Sequence, residues 1–191
     1  MLMNSKDYMT KTFLLVALVV LSSCQKSHKP RETFSNWKQI STWSIKGKMA
    51  IRNDNERGSG KFSWFVHDSE ITAQFSAPLG QGSWKITEDK HSAKLTSSEH
   101  GNIFGNNAED LISAELGWHF PWNSLEYWLR GYETSQKLKS HNTLPDSFID
   151  NSWEVIYEKW MPTPIGMLPK KIKARRSPHE VTVVIYDWNL Q

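Results

Sequence analysis

Along much of the chain, apolar and polar residues take turns. Trp43, Ile45, Met49 and Ile51 fall on one side of an extended run, and Lys46 and Lys48 on the other. Phe62, Trp64 and Val66 repeat the pattern, then Ile71, Ala73 and Phe75, then Trp84 and Ile86, then Ala93 and Leu95. Turn signals at residues 53–58, at 67–69 and around Pro78 and Gly80 separate the runs. Consecutive hairpins of this kind predict an antiparallel meander with one apolar face and one wet face. Leu79 stands at the tip of one hairpin, between Pro78 and Gly80. A large aliphatic residue there has little to pack against within its own hairpin. Two readings stay open: another part of the chain covers it, or it is held out towards something apolar, such as a membrane or a lipid.

In the middle of the chain the period changes. Residues 107–117 read as a helix, with Asn107 as cap, Glu109 and Asp110 in the first turn, and Gly117 as the stop. Leu111, Ile112 and Leu116 form its apolar stripe. A turn at 120–124 leads into a second short helix, 125–130, stopped by Gly131, with Leu125, Trp128 and Leu129 on one face. Neither is long enough to stand alone, so both are expected to lie over the apolar face of the sheet. Before the first strand there is a short helical pattern of Phe34, Trp37 and either Ile40 or Ser41, with Ser35 or Asn36 as cap. Residues 132–152 are polar and weakly patterned. Strands resume at 153–157, and Pro162, Pro164 and Gly166 then break the chain. A last pair of strands covers 170–175 and 181–188. There is no internal repeat, low-complexity tract or second-domain boundary.

The N-terminus has a logic of its own. Lys6 and Lys11 precede the apolar run 13–21, which is too short to cross a bilayer (about 20 residues are needed) but suits the core of a signal peptide. Leu21-Ser22-Ser23-Cys24 resembles a bacterial lipobox, in which Cys24 carries the lipid and becomes the first mature residue. The other reading is an ordinary secretory signal followed by a chance cysteine. Cys24 is the one cysteine of the chain, which excludes an intramolecular disulfide framework and a cysteine-based zinc site. Gln25, rather than Asp, resembles the pattern sorted to the outer membrane. The polar stretch up to Thr33 reads as a tether that reaches about 30 Å when extended. The expected organisation is a signal peptide at 1–23, the lipidated cysteine and tether at 24–33, and a single domain at 34–191.

Composition narrows the function. The chain has 191 residues, 38% hydrophobic and 23% charged, enough for one domain with a real core. Ten Trp is far above ordinary usage and points to a core, an interface or a lipid-facing belt. The formal charge of +3 is spread without a stripe, so nothing asks for nucleic acid. Catalytic signatures are missing from the sequence. No His-Glu-x-x-His helix or Gly-x-Ser-x-Gly elbow occurs, and His67, His91 and His100 fall in turns. Gly58-Ser59-Gly60-Lys61 lacks the spacing of a phosphate loop and precedes a strand. Glu126 and Arg130 form an ordinary i, i+4 surface pair. The reading is a protein that is not an enzyme, with no cofactor and no metal.

What remains is an apolar concavity. A curved antiparallel sheet with helices over its mouth would be walled by Ile45, Met49, Phe62, Trp64, Ile71, Phe75, Trp84, Leu111, Leu125, Trp128, Leu129, Val155 and Val183. These residues make either a dry core or a cavity for acyl chains. Large rigid rings pack with voids unless their shapes match, which favours the cavity.

In its motifs the chain resembles the LolB family of outer-membrane lipoprotein receptors. The likeness rests on Trp43 to Gly47 with Ala50, on Phe62-Ser63-Trp64, and on Ala77-Pro78-Leu79-Gly80-Gln81-Gly82. It continues through Ala108-Glu109-Asp110-Leu111-Ile112 with Leu116-Gly117, then Pro121-x-Asn123-Ser124-Leu125-x-x-Trp128-Leu129-x-Gly131, Leu168-Pro169 and Trp188. The resemblance implies a mainly β fold: an incomplete, half-open antiparallel barrel of about 10–11 strands, lidded by short helices. It implies a monomer on the periplasmic side of the outer membrane. Such a protein accepts lipoproteins from the carrier LolA and delivers them to the inner leaflet, with Pro78, Leu79 and Gly80 as the membrane insertion loop. The competing class is an assembly lipoprotein that binds another outer-membrane protein.

Overall fold

In a computed structural model the described residues are 40–54, 57–80, 82–119, 121–132 and 144–191. All belong to the compact unit Arg31–Gln191. Cys24, the tether and the helical pattern of Phe34 and Trp37 lie outside the described residues.

The first six strands are β1 (Thr42–Arg52), β2 (Arg57–His67), β3 (Glu70–Ser76), β4 (Ser83–Glu88), β5 (Ala93–Ser97) and β6 (Gly101–Gly105). Two helices follow, α1 (Ala108–Leu116) and α2 (Trp122–Arg130). The chain ends with β7 (Ser147–Asp150), β8 (Trp153–Thr163), β9 (Gly166–Arg176) and β10 (His179–Leu190). All ten strands form one antiparallel sheet in the order β6-β5-β4-β3-β2-β1-β10-β9-β8-β7. The sheet is open, and β6 and β7 are its two edges. The expected half-open barrel with a helical lid is what is found.

Each half of the sheet is a meander, and the two halves join where β1 pairs with β10. The order has a consequence for the lid. The segment from β6 to β7 must travel from one edge of the sheet to the other. α1 and α2 lie in that segment, so the connection is led across the concave face, and the stripes on both helices complete the core. The sheet shifts register between Lys46 and Gly47, where β1 meets β10. A Cβ at position 47 would lie 2.0 Å from the Val184 carbonyl oxygen, so only glycine permits this close pairing.

Three sequence expectations need correction. β7 falls in the stretch 132–152 read as polar and weakly patterned, and β6 in residues to which no element was assigned. β8 runs on to Thr163 through Pro162, where a break was expected. Pro162 is tolerated because β7 pairs only with Trp153 to Ile156, which leaves the far part of β8 an edge where a missing N–H costs no ladder bond. Finally, α2 begins at Trp122 rather than Leu125, with Pro121 at its N-cap. A proline just before the helix forgoes no intrahelical N–H bond, since that position donates none.

Candidate functional site

The concave wall is built by alternation. Trp43, Ile45 and Met49 of β1, Phe62, Trp64 and Val66 of β2, and Ala73 and Phe75 of β3 all face inward and are buried. Trp84 and Ile86 of β4 and Leu95 of β5 continue the wall, and Val155, Ile172 and Val183 extend it across the second meander. The lid supplies Leu111, Ile112, Trp122, Leu125, Trp128 and Leu129. Of the expected lining set, all except Ile71 lie in one continuous buried cluster, and Ile71 is half-buried at its margin. Aromatic rings meet repeatedly within it. Trp64 and Trp122 have centroids 4.5 Å apart, and Trp128 and Trp153 6.0 Å apart.

Polar bonds fasten the lid at named points. The Asn107 side chain accepts from the Asp110 N–H at 2.8 Å, and Gly117 ends α1 in the left-handed conformation. Glu88, at an inward position of β4, accepts from the Ala108 N–H at 2.7 Å and from the Trp122 indole N–H. One carboxylate thus holds the starts of both helices to the sheet. On the β7–β8 side, the Trp128 indole N–H donates to buried Asp150 at 2.8 Å. The Tyr157 hydroxyl donates to the Trp128 carbonyl at 2.9 Å, and Asn151 donates to the Ser124 hydroxyl at 3.1 Å. Glu126 and Arg130 form the expected i, i+4 pair at 3.2 Å.

The opposite end of the lid is different. A groove of about 420 Å³ lies between the β3–β4 loop, the β5–β6 turn and the residues after α1. Its apolar side is Phe75, Ala77, Pro78, Trp84, Leu116 and Trp118, and its polar rim includes Arg57, Ser83 and His100. Phe75 and Trp84 stack at 5.4 Å, and Trp118 meets both edge-on at 5.9 and 6.3 Å. The indole N–H groups of Trp64 and Trp84 are buried donors without an acceptor among the described residues. Leaving such a donor unmet costs about 1–3 kcal/mol.

Beside this groove the chain makes a tight turn at Pro78, Leu79 and Gly80. The Ala77 N–H closes the loop on the Gly82 carbonyl at 2.9 Å. Leu79 is 96% exposed, so none of the described residues covers it. Its backbone is left-handed, at φ 57°. For a residue with a Cβ that conformation costs about 1–2 kcal/mol.

Two contributors escaped the sequence reading, though signals for both exist. Trp118 directly follows the helix-ending Gly117, where a hydrophobic residue commonly folds back on the helix. Glu88 continues the inward series of Trp84 and Ile86 on β4, and a carboxylate on an apolar face calls for buried donors.

A sequence model of the family described as "Outer membrane lipoprotein LolB" matches residues 41–188, nearly the whole of the folded part. The chain belongs to the LolB family. Relatives agree end to end. An outer-membrane lipoprotein LolB from Marinomonas sp. is 28% identical over 95% of this chain and 98% of its own length. One from Pseudomonas aeruginosa is 29% identical over 90% and 92%. LolB-family members are lipoproteins of the outer membrane, so this chain is placed among lipoprotein-localisation proteins rather than enzymes. The fold reaches further than the family. A DUF1329 family protein from Desulfovibrio piger superposes with a TM-score of 0.51 over 80% of this chain, at 5% identity.

Proposed function

We propose that this protein is an outer-membrane receptor that takes lipoproteins from the periplasmic carrier LolA. It holds their acyl chains against the concave aromatic wall and passes them into the inner leaflet. The observation that carries this reading is the pairing of a fully exposed Leu79 with an aromatic groove at the mouth of an apolar concavity. The groove volume of about 420 Å³ falls within the usual range for ligand sites. The unmet donors of Trp64 and Trp84 also fit. Acyl chains are joined to their protein through ester or amide carbonyls, which accept hydrogen bonds.

The physics of the transfer is simple. Each CH₂ moved between apolar sites, rather than through water, avoids about 0.8 kcal/mol. Direction follows from rising affinity along the carrier, the receptor and the bilayer, and no nucleotide enters. Cys24 supplies the lipid anchor, the tether of residues 24–33 keeps the monomeric domain near the periplasmic surface, and Leu79 enters the bilayer as cargo leaves.

Leu79→Glu tests the last step. The variant is expected to fold and to accept cargo, but to deliver it to liposomes about tenfold less well, because a charge resists hydrocarbon. Equal delivery would remove the insertion role. The competing assembly reading draws on the two open sheet edges, where Phe104 and Ile149 are exposed. A labelled fatty-acyl probe separates the two. Entry into the domain and displacement by a lipoprotein favour the receptor. A stable complex with another membrane protein and no acyl binding favours assembly.

A further inference from the structure

The outer face of the sheet carries its charge unevenly. On β8, β9 and β10, acid meets base at three points, although Lys159 stands opposite Lys171 in the register. Lys171 lies 2.5 Å from Glu158, Arg175 2.6 Å from Glu154, and Lys173 3.0 Å from Glu180. On β1 to β5 the pattern is otherwise. The strand register places Lys48, Lys61, Ser76 and Ser83 in one row across four strands. The next row reads Lys46, Ser63, Gln74, Lys85, Thr96 and Asn102. Lys46, Lys48, Lys61 and Lys85 are all exposed, and none has an ion-pair partner among the described residues. Neither row contains an acid. Across the seam, only Asp187 stands opposite Lys46 in the register.

One pairing is unfavourable in itself: Lys48 and Lys61 are directly opposite on neighbouring strands. Like charges so placed destabilise a sheet. The same rows adjoin the β3–β4 loop, since Ser76 and Ser83 are the residues from which that loop springs. Four unpaired cations therefore sit on the outer face at the base of the loop that presents Leu79.

We infer that this lysine platform on the outer face of β1–β4 binds the anionic phospholipid headgroups of the bilayer that Leu79 enters. The inference rests on the membrane-contact reading of Leu79. A lipid surface fits better than a protein partner because of what fills the rows. Between the lysines of these two rows stand only Ser, Gln, Thr and Asn, and the exposed rings of Phe65 and Tyr186 flank the rows without forming a contiguous apolar patch between the lysines. A layer of phosphates asks only for cations and hydrogen-bond donors. Each lysine near an anionic surface strengthens attachment about fivefold, and the attraction fades within a Debye length, so it acts only once the loop has brought the face down.

Lysine acetylation read by mass spectrometry tests this on the full-length lipidated protein. The protein is anchored in vesicles of phosphatidylcholine alone, or of phosphatidylcholine with phosphatidylglycerol. Labelling of Lys48, Lys61 and Lys85 is expected to fall several-fold in the anionic vesicles and to recover in high salt, while Lys171 and Lys173 stay unchanged. Labelling independent of lipid charge would overturn the inference, as would equal protection of Lys171 and Lys173. Protection produced only by adding the cargo-loaded carrier would overturn it too, and would give the face to a protein partner. Normal liposome delivery by Leu79→Glu with protection intact would remove the insertion reading and leave the platform standing. Loss of protection in wild type with defective delivery by Leu79→Glu would do the reverse.

Discussion

The two ends of the lid are held by different forces. On the β7–β8 side, α2 is fixed by buried polar bonds of defined direction: Trp128 to Asp150, Tyr157 to the Trp128 carbonyl, and Asn151 to Ser124. On the side of the β3–β4 loop, Leu116 and Trp118 line the groove with Phe75 and Trp84, and Trp118 meets those two through ring contacts. Ring contacts are each worth about 0.5–1.5 kcal/mol and tolerate a range of angles. A buried hydrogen bond to a carboxylate tolerates little, because breaking it strands both partners. The pinned end therefore keeps the lid in register with the sheet, and the aromatic end can reform around a guest. Left-handed backbone occurs at both ends, at Leu79 by the mouth and at Asn151 and Ser152 in the turn between β7 and β8, while the unmet indole of Trp84 lies at the mouth.

The contrast can be broken most strongly at Trp128. Trp128→Phe keeps a ring in the core but removes the donor to Asp150. It is expected to cost about 1.5–3 kcal/mol, read as a lower denaturant midpoint with an unchanged slope. A loss near zero would mean that the hydrogen bond does not pin α2.

At the mouth the sign should reverse. Leu79→Gly relieves the left-handed backbone and is expected to raise stability by about 0.5–1 kcal/mol, while delivery to liposomes falls. Lower stability would show that Leu79 is packed rather than strained.

The smallest effect concerns the linker between the helices. His119 of that linker meets His179 of β10 ring to ring at 5.3 Å. Burial, then His119 and Arg176, hold the His179 imidazole below its ordinary value, with Asp54 pulling the other way. The folded state thus prefers the neutral ring, and the unfolded chain takes up the proton first as pH falls. The stability present above the unfolded histidine value is lost as pH drops through it towards the depressed folded one. Urea titrations across that window should show a shallow decline that His179→Gln flattens. An unchanged slope in the variant would place the pH dependence elsewhere.

Much of this was legible in the chain. Alternation marked β1 to β5 and sorted their inward residues, because a half-buried strand must separate apolar from polar with period two. Asn107, Gly117 and Gly131 marked helix ends, because helix termini leave backbone groups that local residues must satisfy. Proline and glycine marked the loop of Leu79, and that chemistry is local as well. The edge strands β6 and β7 were not legible: they bury little, so selection for burial writes little alternation into them. Tertiary structure alone decided that β1 pairs with β10, that the lid must therefore cross from edge to edge, and that Glu88 and Asp150 receive the tryptophan donors of α2. Those partners lie 22 to 34 residues from their donors, and the β1–β10 pair spans nearly the whole domain. Distances of that kind leave no trace in a local pattern. The exposure of Leu79 belongs to both levels. Its sequence context put it at an apex, and only the fold, in which none of the described residues packs over it, spoke against the covered reading.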